Sequence, residues 1–332
     1  MILIDNENNY DPRINLALEE YIVRNFDVEE DYLLFYINQP SIIIGKHQNT
    51  AEEINAQYVK DNDITVVRRI SGGGAVYHDF GNLNFSFLTR YDSKKVNNFI
   101  QFVQPIVDAL NALGVPAEMT GRNDIVAEGR KISGNAQFST TKKMFSHGTL
   151  LFDANIESVV NALNVSGDKI TSKGIQSVRS RVANIKEFLQ SPLDLQGFKQ
   201  HLLAYLFKGQ TDVPTYRLSA QEWEAVHQFS KEKYQTWEWN YGRSPEFNIQ
   251  KKNRFAFGQI DARVDVKEGH ITNIKFFGDF LSHGEPAEIE TKLKGVRYVQ
   301  TDITEALQSA DLTYYFGAIS AGEFANFLCD LT

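Results

Sequence analysis

The sequence predicts an α+β protein with a mixed, largely antiparallel sheet flanked by helices, followed by a small C-terminal α+β accessory module. Three observations carry that prediction. Short strand-like runs and amphipathic helical runs mix without the strict βαβ alternation that a parallel sheet requires. A chain of 332 residues, 42% hydrophobic, 23% charged and 12% aromatic, has the composition of a globular protein large enough for one big domain and one small one. The helix and strand pattern also breaks at Trp237-Glu238-Trp239-Asn240-Tyr241-Gly242-Arg243-Ser244-Pro245, an aromatic stretch with a Gly/Pro ending. The boundary placed there divides the chain into residues 1–245 and 246–332.

Each element has a local reason. Asp11-Pro12 is a polar cap with proline in the first turn, and Ile14, Leu18, Tyr21 and Ile22 follow at helical spacing. Tyr32 to Ile37 and Ser41 to Ile44 read as strands joined by a turn at Asn38-Gln39-Pro40. His47 reads as an exposed loop residue, and Ala51 to Asp61 as one polar helix. Strand-like Ile64 to Val67 and Leu83 to Leu88 bracket a glycine-rich stretch, and Val96 to Leu113 is a long amphipathic helix stopped by Gly114. Gly121 to Ala127 enters a strand, Glu128-Gly129-Arg130 is a tight turn, and Lys131 opens the returning strand. Phe145 to Phe152 is another strand, Asn155 to Leu163 a capped helix, and Leu195 to Phe207 and Ser219 to Tyr234 are helices. In the C-terminal module, Arg254 to Val266 alternates as a strand, Glu268-Gly269-His270 turns and Ile271 to Phe277 returns. Helical stretches at Pro286 to Leu293, Asp302 to Ser309 and Ile319 to Leu331 complete it, with nothing that looks catalytic.

Charge and cysteine usage exclude several function classes. Forty-two acids against 34 bases give a formal charge of −8, which argues against a nucleic-acid binder. No run approaches the length of an uncharged membrane span, and Met1-Ile2-Leu3-Ile4-Asp5 lacks the features of a signal peptide. A cytoplasmic protein without membrane contact is the expectation. The single cysteine, Cys329, has no partner for a disulfide or a zinc pair, and its Phe327-Leu328 context marks it as a buried helix residue.

The stretch that draws attention is Arg68-Arg69-Ile70-Ser71-Gly72-Gly73-Gly74-Ala75-Val76-Tyr77-His78-Asp79. Each glycine inside a regular element costs roughly 0.5–1 kcal/mol relative to alanine, so three in a row mark backbone that takes positive φ or lets a ligand come close. Two arginines at the mouth of such a loop point to an anion. A surface turn with two solvated arginines is the alternative, and the polar Tyr77-His78-Asp79 favours a site. The loop has neither the Gly-Lys-Ser/Thr ending of a P-loop nor the spacing of a dinucleotide fingerprint.

Lys131 is the second candidate. It is followed by Ser133-Gly134, where a missing side chain permits close approach, and its ammonium suits a carboxylate or an α-phosphate. Arg69, Lys131 and the loop amides would form one anion cradle. Asp124 either holds a magnesium ion or caps a turn. His78 and His147 either hydrogen-bond a substrate or are ordinary polar residues. The basic run Lys173-Gly174-Ile175-Gln176-Ser177-Val178-Arg179-Ser180-Arg181 is either a solvated loop or a wall of an anionic site.

Taken together, these residues resemble the lipoate–protein ligase A family. The glycine stretch resembles its signature loop. Gly121-Arg122-Asn123-Asp124, Lys131-x-Ser133-Gly134-x-Ala136, His147-Gly148-Thr149-Leu150-Leu151, the run from Lys173 to Arg181 and the Trp237 to Gly242 block follow in that family's order. The similarity covers roughly residues 1–245, and more loosely the C-terminal module. It implies a biotin/lipoate-ligase fold and a two-step reaction. Lipoate and magnesium-ATP would give lipoyl-adenylate and pyrophosphate, and the lipoyl group would then pass to a lysine of an acceptor. The acceptors implied are lipoyl domains of 2-oxoacid dehydrogenase complexes and the glycine-cleavage carrier protein. The resemblance maps Lys131 to the essential lysine and Arg69, Gly73, Gly74, Ala75, Val76 and Tyr77 to nucleotide contacts. His78, Asp124 and Gly134 are taken as substrate-binding, with Asp124 as the candidate metal ligand. Cys329 lies outside the catalytic domain, which disfavours a transferase with a cysteine nucleophile. A non-catalytic lipoate-binding protein is the remaining rival, against which the intact Lys131 counts.

Overall fold

The computed structural model describes residues 1–27, 29–46, 48–96, 98–120, 123–163, 181–242, 247–278, 280 and 284–329. His47, Gly121, Arg122, the basic run from Lys173 to Ser180 and Arg243 to Pro245 lie outside the described residues. The chain divides into two compact units, one of residues 1–46 and 63–235, the other of residues 47–62 and 236–332.

The first unit is built on β1 (Ile2–Asp5), β2 (Tyr32–Tyr36), β3 (Ser41–Ile44), β4 (Thr65–Arg68), β5 (Val76–His78), β6 (Asn82–Arg90), β7 (Ala117–Thr120), β8 (Asp124–Ala127), β9 (Arg130–Ser139), β10 (Lys143–Leu151) and β11 (Thr215–Arg217). Eight of them form one sheet in the order β11-β1-β2-β6-β10-β9-β8-β7, and β4-β3-β5 form a second. In the large sheet only β11–β1 and β1–β2 are parallel, so the expectation of a mixed, largely antiparallel sheet holds.

The two faces of the large sheet differ in chemistry, and strand alternation explains why. Leu33, Phe35, Leu83, Phe85 and Phe87 face one core with Phe102, Val103, Ile106 and Leu110 of the helix Ile100–Ala112, joined by Phe198 and Leu202 of the helix Leu195–Leu206. The alternate positions point the other way and line up across the strands. Tyr36, Asn84 and Thr149 share one row; Leu34, Ser86, His147 and Ala136 share the next. Asn82, Asn84 and Ser86 are fully or almost fully buried there, an unusual density of polar groups for a strand interior. The helix Pro12–Asn25 belongs to this side, starting at Asp11, whose side chain accepts from the Arg13 amide, and contributing buried Leu16 and Glu19.

Four local expectations differ from the structure. The glycine stretch is not all loop, because its second half forms β5, antiparallel to β3. The helix expected over 51–61 is two short ones, Thr50–Glu53 and Ala56–Asp61, since the backbone turns extended at Ile54 and Asn55 caps the second through the Tyr58 amide. The helix expected from Val96 begins at Ile100. The single strand expected over 254–266 is a hairpin of β12 (Phe247–Phe255) and β13 (Gly258–Lys267), reversing at Gly258 with φ of 132°. That reversal needs a residue without a side chain, and the apolar phase shifts across it, from Phe255 and Phe257 to Ile260, Ala262, Val264 and Val266.

The second unit contains this hairpin extended by β14 (His270–Gly278), with Glu268 and Gly269 at φ of 50° and 75° in the connecting turn. Helices Pro286–Leu293, Gln300–Leu307, Leu312–Tyr315 and Ala321–Cys329 cover the sheet around a core of Val264, Ile274, Phe276, Phe316 and Phe324. Thr50 Oγ1 donates to the Asn240 carbonyl at 2.5 Å, which ties the 50–53 helix to the aromatic stretch of the same unit.

Candidate active site

A cavity opens over the polar face of the first unit. Leu16, Tyr36, Ile43, Arg69, Gly73, Gly74, Ala75, Val76, His78, Asn84, Asn123, Lys131, Gly134, Asn135, Ala136, His147, Gly148 and Thr149 line it. The glycine loop and Lys131, some sixty positions apart in sequence, therefore share one wall and one space.

Arg69 is not the solvated arginine of the alternative reading. It is 6% exposed and its guanidinium folds back onto its own loop. Nε donates to Ser71 Oγ at 3.0 Å and to the Gly72 carbonyl at 3.2 Å, Nη1 to the Ile43 carbonyl at 3.0 Å. Nη2 donates to the carbonyls of Gly72 and Gly74 at 2.7 and 2.8 Å. Burial pushes the Arg69 pKa down to about 10, opposed by Tyr36 and Glu19, so it stays cationic at neutral pH. Arg68 is fully buried as well and donates to the Gly45 carbonyl.

This geometry orients the loop. In a trans peptide the carbonyl of one residue and the N–H of the next point in opposite directions. With the Gly72 and Gly74 carbonyls turned onto Arg69, the amides of Gly73 and Ala75 point away from it. Among the described residues, no backbone carbonyl accepts from the amides of residues 72 to 75. Successive outward amides make an anion-binding nest. Gly73 has a φ of 93°, a conformation that favours glycine, while a Cβ on Gly72 or Gly74 would meet no protein atom within 4 Å.

Ser71 joins the loop to the sheet. Its Oγ lies 2.7 Å from His147 Nε2, and His147 Nδ1 lies 3.0 Å from both carboxylate oxygens of Glu19. Acid, imidazole and hydroxyl in a row resemble a nucleophile triad. Here Ser71 Oγ is buried and already accepts from Arg69 Nε, so the row locks the loop rather than exposing a nucleophile.

Lys131 stands on a β-bulge. The β8–β9 register slips between Ile125 and Val126, so that Ile125 pairs with Ser133 and Val126 with Lys131. Bulges re-aim side chains, and they recur beside active sites. The segment from Arg181 to Ala183 fixes the backbone, its carbonyl at Arg181 accepting from the Lys131 amide at 2.7 Å and its amide at Ala183 donating to the Lys131 carbonyl at 3.0 Å. The ammonium pairs with Asp124 Oδ1 at 2.9 Å and passes over Gly134, where a Cβ would stand 3.0 Å from Nζ. Gly134 is the close-approach position the sequence suggests, and its neighbour is Lys131 itself.

The remaining candidates separate by strand face. Val76 and His78 line the cavity, whereas Tyr77 between them does not. Asp79 is structural, accepting from the amides of Gly81 and Asn155 at 2.9 and 2.8 Å.

Residues 11–207 match the family model for the lipoyl protein ligase A/B catalytic domain, and residues 244–328 match that for the bacterial lipoate protein ligase C-terminus. The chain belongs to the lipoate–protein ligase family. It is 55% identical to lipoate-protein ligase LplJ of Bacillus subtilis over 330 residues, covering 99% of this chain and 100% of that one. It is 50% identical to lipoate–protein ligase 1 of Staphylococcus aureus over 328 residues, again 99% and 100% of the two chains. Among solved structures, the bipartite lipoate protein ligase of Thermoplasma acidophilum, from a study that includes its E2 lipoyl domain, superposes with a TM-score of 0.66 at 29% identity. That match covers 75% of this chain and 98% of the other. A Thermoplasma acidophilum structure with bound lipoic acid gives 0.61 at 28%, covering 73% and 97%. A lipoate-protein ligase A bound with ATP gives 0.60 at 28%, covering 73% and 98%.

The ligase's cavity also uses residues to which the sequence reading gave no role of their own. Tyr36, Asn84 and Thr149 form a row of its floor, and Asn123 and Asn135 hold each other through Nδ2 of each donating to the other's backbone carbonyl at 2.6 and 2.9 Å. The signal for Asn84 was present, since Leu83-Asn84-Phe85-Ser86-Phe87 alternates polar with apolar in a strand too apolar to lie at the surface. No equivalent signal marks Tyr36. The sole cysteine, Cys329, packs against the core of the second unit, so no thiol lines the cavity. Among the described residues no helix is long and apolar enough to cross a membrane.

Proposed function

We propose that this lipoate–protein ligase makes lipoyl-adenylate from lipoate and ATP in the cavity between the glycine loop and Lys131, then transfers the lipoyl group to an acceptor lysine. The observation that carries the reading is the convergence of Lys131, with its side chain partly open to solvent, and outward amides at Gly73 and Ala75 on one cavity. In the first step the lipoate carboxylate attacks the α-phosphorus of ATP and pyrophosphate leaves. Lys131 neutralises charge on the carboxylate and the α-phosphate, and the amides of the Gly73–Ala75 segment hold the remaining phosphate oxygens. In the second step the neutral ε-amine of the acceptor lysine attacks the acyl carbon and AMP departs, leaving an amide. Val76 and Ile43, with Leu16, give the apolar surface that a lipoyl tail requires.

Magnesium fits this site as a companion of the nucleotide. Among the described residues no group of three or more His, Cys, Asp or Glu side chains is arranged to hold a metal ion, and Asp124 is a single carboxylate already paired with Lys131. Magnesium commonly uses one or two carboxylates together with substrate phosphates, a role that Asp124 would fill. When bound, it supplies charge neutralisation on the phosphates.

The acceptors in this reading are lipoyl domains of 2-oxoacid dehydrogenase complexes and the glycine-cleavage carrier protein, and the compartment is the cytoplasm. The deciding experiment is lipoate-dependent ATP–pyrophosphate exchange with wild type and Lys131→Ala. Exchange in wild type that falls by at least about a hundredfold in the variant supports the adenylating role, in line with the loss of one electrostatic stabiliser. Absence of exchange in wild type, with acyl transfer between carrier proteins intact, would make the protein a transferase.

A further inference from the structure

His78 is 4% exposed, lines the cavity, and has a buried Nε2 with no hydrogen-bond partner among the described residues. Its other nitrogen, Nδ1, lies 3.0 Å from Asn38 Nδ2. Which of these atoms carries the proton follows from a chain of amides behind it. Asn15 Nδ2 is 2.9 Å from the Asn9 carbonyl, which only accepts, so that atom must be the amide nitrogen. The same nitrogen donates to Asn38 Oδ1 at 2.9 Å, and Asn15 Oδ1 accepts from Asn6 Nδ2, itself 3.1 Å from the Asn9 carbonyl. Asn38 therefore shows oxygen to Asn15 and NH₂ to His78. Nδ1 of His78 must offer a lone pair, and the ring proton sits on Nε2.

We propose that Asn38, oriented by Asn15 and Asn6, is a positioning residue that fixes His78 as the neutral Nε2–H tautomer. His78 then gives one N–H donor to an oxygen of the bound acid or its adenylate, and acts as neither cation nor base. This rests on the ligase reading for the identity of the ligand, but not for the state of the ring. Two further observations support it. An unmet buried donor is costly, and a substrate oxygen would satisfy it. Burial, the Arg69 charge and His147 together push the His78 pKa down to about 3. A neutral imidazole can polarise an oxygen without protonating it, which suits a site where a carboxylate must remain the nucleophile.

The test is long-range ¹H–¹⁵N NMR of the full-length chain with labelled histidine, His78 being assigned by its loss in His78→Gln. The expected spectrum has Nε2 protonated and Nδ1 bare, unchanged from pH 8 to pH 5, with the Nε2–H signal shifting when lipoate and a non-hydrolysable ATP analogue bind. A ring protonated at Nδ1, one that titrates in that window, or an Nε2–H signal indifferent to both ligands overturns the proposal. Asn38→Asp replaces the donor with an acceptor, so His78 takes a proton on Nδ1, and kcat for exchange falls about tenfold or more with KM for ATP little changed. The wild-type spectrum decides the tautomer even if that variant does not fold. A locked ring in a protein without exchange activity would uphold the lock and sink the ligase reading, so the two failures are distinct.

Discussion

Replacing Arg69 with lysine separates a scaffold from a nucleotide contact. Five hydrogen-bond contacts at 2.7 to 3.2 Å radiate from the guanidinium to Ser71 Oγ and to carbonyls of Ile43, Gly72 and Gly74. A lysine ammonium is a point donor on a thinner stem and cannot span acceptors spread along both sides of a planar fork. At least two of the contacts would be lost, at about 1.5–3 kcal/mol each for hydrogen bonds to a charged group, or about 3–6 kcal/mol together. For a unit of this size 1 kcal/mol moves the midpoint by roughly 2–4 °C, so Arg69→Lys is expected to melt about 10 °C or more below wild type. The assay is calorimetric melting without ligands, paired with ATP binding by titration calorimetry. Both should fall together, because the loop that presents the amides is the part released. An unchanged melt with ATP affinity reduced tenfold or more would refute the scaffold argument and make Arg69 a direct ligand of the nucleotide.

Three other outcomes follow. Gly134→Ala should leave the melting temperature almost unchanged yet lower kcat for exchange by about tenfold, since the new methyl stands 3.0 Å from Lys131 Nζ and shifts it by a few tenths of an ångström; steady-state exchange against a thermal melt checks this, and an unchanged kcat would remove Gly134 from the argument. Gly73→Ala should cost about 1–2 kcal/mol in urea unfolding because its φ of 93° is strained for any L side chain, and a neutral effect would contradict the loop geometry. Stability should also fall with acid through His78. Its folded pKa, pushed down to about 3 by burial, Arg69 and His147, lies below the unfolded value, so the unfolded chain binds the extra proton and stability is lost as pH falls from about 6.5 towards 3. The loss by pH 5 is about 2 kcal/mol, read as the difference in pH dependence of urea unfolding between wild type and His78→Gln; equal slopes would refute it.

Much of the fold was legible because its signals are local. Asp11-Pro12 starts a helix, Gly114 with φ of 83° ends one, and Glu128-Gly129, with φ of 49° and 74°, makes the tight turn that returns the chain to Lys131. Two of the misreadings share one cause, a run read as one element across a local break. The run from Arg254 to Val266 changes apolar phase at Gly258, and the polar stretch from Ala51 to Asp61 hides the cap at Asn55. Of the site, the glycines, Lys131 and His78 could be found because their types are unusual where they stand. The direction in which a side chain faces could not. Nothing local says that Arg69 turns inward or that Tyr77 turns away from the cavity, since both depend on β3 pairing with β4 on one side and β5 on the other.

That pairing explains why a loop of glycines is useful here at all. Three glycines in series are conformationally loose, and a nest of amides attracts an anion only while its peptide planes stay aligned. Strand pairing holds the two ends: β4 lies parallel to β3 and leads in, β5 lies antiparallel to β3 and leads out. Arg69 holds the middle by collecting the carbonyls of Gly72 and Gly74, and Ser71 ties the same turn through His147 to Glu19. The positive charge therefore works from behind the loop. It fixes the carbonyl ends of the dipoles and leaves the amide ends facing the cavity, where their orientation is set before any phosphate arrives. An arginine reaching directly into the cavity would bind phosphate through its own charge, but it would leave the glycine backbone free to turn. With the cation spent on the scaffold, the ammonium that the proposed mechanism brings to the reacting groups is that of Lys131, which is paired with Asp124 and lies over Gly134.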